Sequence, residues 1–477
     1  MTERLDASKR FIAYFLSQKD KLGSLSVSEG RNILQIASYM ADNALEEEWK
    51  QKGLDLLFFS CFYLQGLDIK ELWNIYCILD YSLFVNYKFQ VSWNLDELYG
   101  LIFRKLKMCI TDKYDGIENT DNNLVIIITD QFLNKSHAPT RRVLDYAYAL
   151  AKGCGKRVMI INSSELNFYP CSCLQQVYMP NYMHDYDDVK CIQYKDLEIP
   201  FMQCHGYMPD IYCINETLRS IYAMQPGLVY NIGGSSMLSD LCNLFTKTAC
   251  FPCSTNIPVS KSEYLLVGRS LNDNDKGRLE RLETYQKVIE TVVNYELPES
   301  ALEYERGMFG IPEECFLIAI VGTRLAIELT EDFILLMNQI IVRWDVHFLV
   351  IGMFDDMDRT NCISKIENVH FAGGLREANR AIKICDIYCN PKRKGSGRSS
   401  FEALAHGIPV ITLKYGDVYY TCGDDFAVDT YDDYLEQVGQ YIADKQFLAI
   451  AKEKALQRAR ILCDLPGTQR KILEEIL

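Results

Sequence analysis

The stretch NPKRKGSGRSSFEALAHGIPVIT, Asn390 to Thr412, decides how this chain is read. It opens on the end of an apolar run, DIYCNP, and closes on a second one, IPVITL, both of strand character. Between them Lys392, Arg393, Lys394 and Arg398 gather four cations in a chain whose net charge is -14. Gly395 and Gly397, flanking Ser396, let the backbone approach a ligand closely. Ser399 or Ser400 is suited to cap the helix FEALAH. The amides at that helix start, with the positive end of its dipole, favour an anion. The dipole contributes only ~0.3–1 kcal/mol when exposed, so charge-assisted bonds from Lys394 or Arg398 should dominate. Glu402, on the first turn, offers a carboxylate to vicinal hydroxyls such as those of a ribose. Phosphate donors and a diol acceptor at one helix start suit a nucleotide.

Outward from this stretch the pattern is a repeated alternation of strand and helix. Upstream lie FLIAIVG (Phe316 to Gly322), the helix EDFILLMNQIIVRW, HFLVIG (His347 to Gly352), NVHFAG (Asn368 to Gly373) and the helix REANRAIKIC. An earlier series begins after the polar stretch Thr111 to Asn123. LVIIIT (Leu124 to Thr129) has the continuous β-branched character of a buried parallel strand. A loop with His137, Pro139 and Thr140 follows, then the helix VLDYAYALAK and the strand RVMIIN. GLVYNI, ending at Ile232, leads into Gly233, Gly234, Ser235 and Ser236. The segment RSLNDNDKGR reads as a hinge, and Arg278 to Tyr295 as a charged helix. Ahead of everything, residues 1–110 show helical periodicity, as in Ile33, Ile36, Ala37 and Met40.

The expected fold class is therefore α/β: two facing Rossmann-like doubly wound domains preceded by an all-α N-terminal region. The expected divisions are 1–110 (helical), 123–270 (N-terminal Rossmann-like), 271–310 (helical linker) and 311–477 (C-terminal Rossmann-like, nucleotide-binding). In such sheets ligands bind at the carboxyl ends of the strands.

Composition narrows the function classes. A net charge of -14 disfavours general nucleic-acid binding, which wants a cationic surface. No run reaches the ~18 apolar residues of a membrane span, and no signal peptide is evident, so a cytoplasmic location is expected. The 18 cysteines read mostly as reduced, packed thiols. Cys171 with Cys173, and Cys250 with Cys253, lack a second pair at zinc-ribbon spacing, and His205 beside Cys204 is isolated, so no metal site is expected. Asp355 and Asp356 are adjacent and read as loop residues rather than a metal motif.

The segment Asn390–Thr412 resembles the donor-site signature of GT-B glycosyltransferases of the family-four-like group, a Glu-x7-Glu pattern followed by a helix and a Gly-x-Pro-Val turn. Glu402 takes the second Glu position and GIPVIT the turn. FGIPEECFLIAIVGTRL (Phe309 to Leu325) is similar to the start of that family's C-terminal domain, with Arg324 at the Arg that clamps the diphosphate. NVHFAGGLREAN is similar to the strand and turn beside the base. The resemblance implies a diphosphate site of Arg324, Lys394, Gly395, Ser396, Gly397, Arg398 and Ser399, with Glu402 on the ribose and Gly373, Gly374 and Leu375 near the base. Two departures stand out. Lys394 replaces the first Glu, and Glu328 falls near the family's expected Lys.

The implied activity is metal-independent transfer of a hexose-type sugar from a nucleotide sugar, preferably a UDP-sugar, with no cofactor. The acceptor is a protein, a glycan or a lipid-linked intermediate. His137 is the candidate acceptor-side base by position and ordinary pKa. Gly233, Gly234, Ser235 and Asp417 are candidate sugar or acceptor contacts. The helical N-terminal region is a candidate surface for a protein partner or oligomer. Two other classes fit the same residues: a non-catalytic nucleotide-sugar-binding scaffold subunit, and a nucleotide-sugar epimerase.

Overall fold

The computed structural model describes residues 2–477 apart from 87, 118–119, 136, 176–181, 298–300 and 353–367. The chain divides into two compact units, Met1–Glu290 with Gln469–Leu477, and Thr291–Thr468.

The first unit begins with α1 (Thr2–Ser17), α2 (Val27–Asn43), α3 (Glu47–Tyr63), α4 (Ile69–Val85) and α5 (Leu95–Lys107). The helical periodicity has its physical counterpart in burial: Ile33, Ala37 and Met40 are buried, as are Leu54, Leu57 and Phe58, and Leu72, Ile75 and Leu79. Capping boxes start two of the helices, Ser26 with Glu29 on α2 and Asp68 with Glu71 on α4. These helices do not close a core of their own. Their apolar faces run into one continuous cluster with Ile126, Ile128, Ile161 and Val229 of the sheet that follows. Buried polar anchors cross the same junction. The Trp73 indole N–H donates to the Glu165 carbonyl at 2.8 Å, and the Tyr99 hydroxyl to Asp240 at 2.5 Å.

That sheet holds β1 (Asp121–Thr129), β2 (Arg157–Asn162), β3 (Cys191–Tyr194), β4 (Leu197–Gln203), β5 (Pro226–Gly233), β6 (Thr248–Pro252), β7 (Tyr264–Val267) and β8 (Lys287–Glu290). Its order is β3-β4-β2-β1-β5-β6-β7-β8, parallel except for the β3–β4 pair. Leu124 to Thr129 are all buried, as expected of a parallel strand covered on both faces. The order reverses between β1 and β5, which makes their carboxyl ends the switch point. The helix expected over Arg278–Tyr295 is corrected here. The chain forms one helical turn, Lys276–Leu279, and then β8, the edge strand beside β7. The β-branched pair Val288 and Ile289 in KVIE, paired with β7, outweighs the helix-forming charges before it.

The second unit carries β9 (Phe316–Val321), β10 (Val346–Ile351), β11 (Val369–Gly373), β12 (Ile387–Cys389), β13 (Val410–Leu413) and β14 (Ala427–Val428). All pairs are parallel, in the order β11-β10-β9-β12-β13-β14. Strand alternation separates its two cores. Ile318 and Ile320 pack on one face with Phe333, Met337 and Val438, while Leu317, Ala319 and Val321 pack on the other with Phe401, Leu404 and Ala455. The order reverses between β9 and β12. This is the second sheet's switch point.

Candidate functional site

The loops singled out from sequence, after β9 and after β12, therefore leave the sheet from neighbouring strands at its switch point. They are tied together by a buried ion network. Arg393 is 3% exposed. Its guanidinium donates to Glu328 at 2.7 Å, to the Val321 carbonyl and the Tyr388 hydroxyl at 2.8 Å, and to Asn390 at 2.8 Å. The other oxygen of Glu328 accepts from Arg324 at 3.0 and 3.2 Å. Burial is the largest influence on the Glu328 carboxyl and raises its pKa. The charges of Arg393 and Arg324 together overcome it and hold the group below its usual value. Gly322 makes this packing possible, since a Cβ there would stand 2.6 Å from Arg393 and 3.1 Å from Glu328. Of the four cations in the loop, Arg393 is thus a structural strut. Glu328, at the place of an expected Lys, orients Arg324.

The helix at the second loop starts at Gly397, earlier than FEALAH suggested, and runs to Ala405. The expected capping by Ser399 or Ser400 is corrected. Ser396 occupies the N-cap, in the left-handed region at φ 78°, without a side-chain cap bond. Ser399 and Ser400, already inside the first turn, donate back to the Ser396 and Gly397 carbonyls at 3.1 and 2.8 Å. Helix geometry leaves the first-turn amides of Gly397, Arg398 and Ser399 without intrahelical acceptors. Gly397 sits where a Cβ would stand 2.5 Å from the Tyr295 hydroxyl and 2.7 Å from Thr421. Lys394 and Gly395 precede this turn, Lys394 half-buried and Gly395 buried. The Lys394 carbonyl accepts from the Asp417 amide at 2.7 Å, which places Asp417 beside the loop. Arg398 and Glu402, assigned separately to diphosphate and ribose, lie together. Arg398 donates to Glu402 at 3.2 Å and to the Glu296 carbonyl at 2.9 Å. Gly373 ends β11, the edge strand, and Gly374 and Leu375 follow it, on the same carboxyl end as Arg324 but separated from β9 by β10.

At the first sheet's switch point, sequence reading named the β5 end and missed its neighbour. Asp130, directly after β1, is 4% exposed, and its Oδ1 finds no hydrogen-bond partner among the described residues. Burial raises its pKa to about 6. Gly233 and Gly234 admit it: Cβ atoms there would come within 2.4 and 2.6 Å of its oxygens. Its position at the end of LVIIITD was the available signal. Ser235 has its hydroxyl occupied, at 2.7 Å from both the Val259 carbonyl and the Tyr76 hydroxyl. His137 is the N-cap residue of the helix Ala138–Tyr148, and burial lowers its pKa to about 4. Its Nδ1 lies 3.1 Å from the Thr140 hydroxyl, which itself accepts from the Leu133 amide. His205 is exposed, 3.4 Å from Asp187. Asp355 and Asp356 lie outside the described residues.

Two mostly parallel, doubly wound sheets of this order, with a cation and glycine loop pair at the switch point of the second, are the architecture of the GT-B fold. More narrowly, residues 318–444 match the family model described as glycosyl transferases group 1. Solved structures with the same fold include a mutant O-GlcNAc transferase of Thermobaculum terrenum, with a TM-score of 0.59 and 12% identity over 99% of this chain and 94% of that one. Anabaena HepE, solved with UDP and glucose, has a TM-score of 0.51 and 13% identity over 74% of this chain and 99% of that one. The lipopolysaccharide outer core galactosyltransferase WaaB, in its apo form, has a TM-score of 0.51 and 9% identity over 74% of this chain and 100% of that one. No curated protein matches the chain. Among the described residues, no helix is long and apolar enough to cross a membrane.

Proposed function

We propose that the chain transfers a hexose from a UDP-sugar, with the donor held at the second sheet's switch point and without a metal ion. The observation that carries this reading is the meeting of the Arg324 loop and the Lys394–Gly397 loop, locked by Arg393 and Glu328. Departure of a nucleoside diphosphate needs preorganised positive groups where charge develops. Arg324, Lys394 and the first-turn amides at Gly397, Arg398 and Ser399 supply them. Glu402 then takes the ribose hydroxyls while keeping its contact to Arg398, and residues 373–375 border the base. UDP-hexose is favoured because HepE was solved with UDP and glucose and WaaB is a galactosyltransferase. On the acceptor side, a His held near pKa 4 is neutral at pH 7 and a weak proton acceptor. Asp130, raised to about 6 with one free oxygen, is the better-matched base, and His137 serves as a ring N–H donor. The experiment is incubation of the full chain with a panel of radiolabelled UDP-hexoses, with and without EDTA. One UDP-hexose should be slowly hydrolysed, unaffected by EDTA, and Arg324→Ala should suppress that hydrolysis. Hydrolysis of none of them, or full loss with EDTA, contradicts the proposal.

A further inference from the structure

Two cysteines and a glutamate that take no part in the donor site lie together where the helical layer meets the first sheet. The Sγ atoms of Cys171 and Cys173 are 2.9 Å apart, and Cys173 Sγ is 3.9 Å from Glu71 Oε1. All three donor atoms fall within 4.8 Å of one another. Cys173 and Glu71 are buried, Cys171 half-buried. We propose that Cys171, Cys173 and Glu71 form a structural site for zinc or a similar thiophilic divalent ion, with the fourth position open to water beside Cys171.

Three observations support it. The spacing is close to what a tetrahedral ion needs. Metal–sulfur and metal–oxygen bonds of about 2.3 and 2.1 Å put ligand sulfurs about 3.8 Å apart and sulfur and oxygen about 3.6 Å apart. The Cys173–Glu71 contact, at 3.9 Å, is close to that separation, and the sulfur pair, at 2.9 Å, opens by about 0.9 Å when the half-buried Cys171 thiol turns away. The carboxylate is oriented in advance. Glu71 Oε2 accepts from the Asp68 amide at 3.0 Å in the α4 capping box, and Oε1 from Arg31 at 3.0 Å, the outer bonding that metal ligands require. Charge also balances. Two thiolates, one carboxylate and a divalent ion leave one net negative charge, which Arg31 neutralises. The ion adds to a seam already sewn by Asn74 to the Tyr169 carbonyl at 2.9 Å and by the Gln175 amide to Ser38 at 2.8 Å. It fastens the loop after β2 to α2 and α4.

Cobalt(II) titration of the reduced, metal-stripped full chain tests this. One equivalent should produce a thiolate-to-cobalt charge-transfer band in the near ultraviolet, displaced by zinc, and zinc should raise the thermal midpoint. Cys171→Ser and Cys173→Ser should abolish the band, Glu71→Gln should weaken cobalt binding at least tenfold, and Cys191→Ser, at an exposed thiol on β3, should change nothing. The wild-type spectrum needs no variant to fold. Absence of the band overturns the proposal, as does a band that persists in the Cys171→Ser/Cys173→Ser double variant. A Cys171–Cys173 disulfide in protein kept reduced and zinc-loaded overturns it too.

Discussion

Arg393 shows how a residue's chemistry can be right and its role different. In sequence it is one of four loop cations. In the structure it is the most buried of them, and its partners Glu328, Asn390 and Tyr388 leave its guanidinium no outward face. Removing one member of a buried pair strands the other, at a cost of about 3–5 kcal/mol. Arg393→Ala is therefore expected to lower the urea midpoint strongly, whereas Lys392→Ala, at a half-buried neighbour, should leave it within about 0.5 kcal/mol. Equal midpoints for both variants would mean that the network carries no stability. Glu328 belongs to the same strut. Its place near an expected Lys reads as a loss of positive charge only until Arg324 is seen to be bonded to it.

Elements were legible where periodicity was long and uninterrupted. LVIIIT, FLIAIVG and HFLVIG read as buried strands, and the glycine and cation loop marked a strand-to-helix turn. Less was legible where neighbours decide. KVIE became an edge strand because β7 offers it a partner, and the helix start moved to Gly397 because Ser396 adopts a left-handed conformation that its sequence does not announce. The helical region could equally have packed on the rest of the chain or on a partner, since its apolar stripes say what is buried but not against what. They are buried against the sheet. Deleting residues 1–110 uncovers Ile126, Ile128, Ile161 and Val229 together with the partners of Trp73 and Tyr99. The truncated chain is expected to bind a hydrophobic dye and lose near-ultraviolet circular dichroism from the first unit, while the second unit, where we propose the nucleotide binds, keeps its affinity for UDP. A soluble truncation with native near-ultraviolet signal would show the helical layer to be an independent domain.

Across the whole molecule, buried acids on the first sheet give stability a definite pH dependence. An unfolded Asp titrates near about 3.9, and Asp130 in the folded chain near about 6. Between those values the native state holds a proton that the unfolded state has lost, so stability falls as pH rises through this window and stays lower above it. Glu165, lifted to about 7 by burial, acts in the same sense, and His137, lowered to about 4, in the opposite one. Asp130→Asn removes one such penalty of roughly 3 kcal/mol at about 1.36 kcal/mol per pKa unit. The variant should match wild type near pH 4, exceed it at pH 7 in urea unfolding, and lose transfer activity. A variant less stable than wild type at pH 7 would place a satisfied, ionised carboxylate at that position. The central claim, however, is that the paired loops at the second sheet's switch point hold a diphosphate. Isothermal titration of UDP and of uridine into wild type and Lys394→Ala tests it most directly. The variant should lose about 1.5–3 kcal/mol for UDP, the worth of one charged hydrogen-bond partner, and almost nothing for uridine. Equal losses for both ligands, or none for UDP, would contradict it.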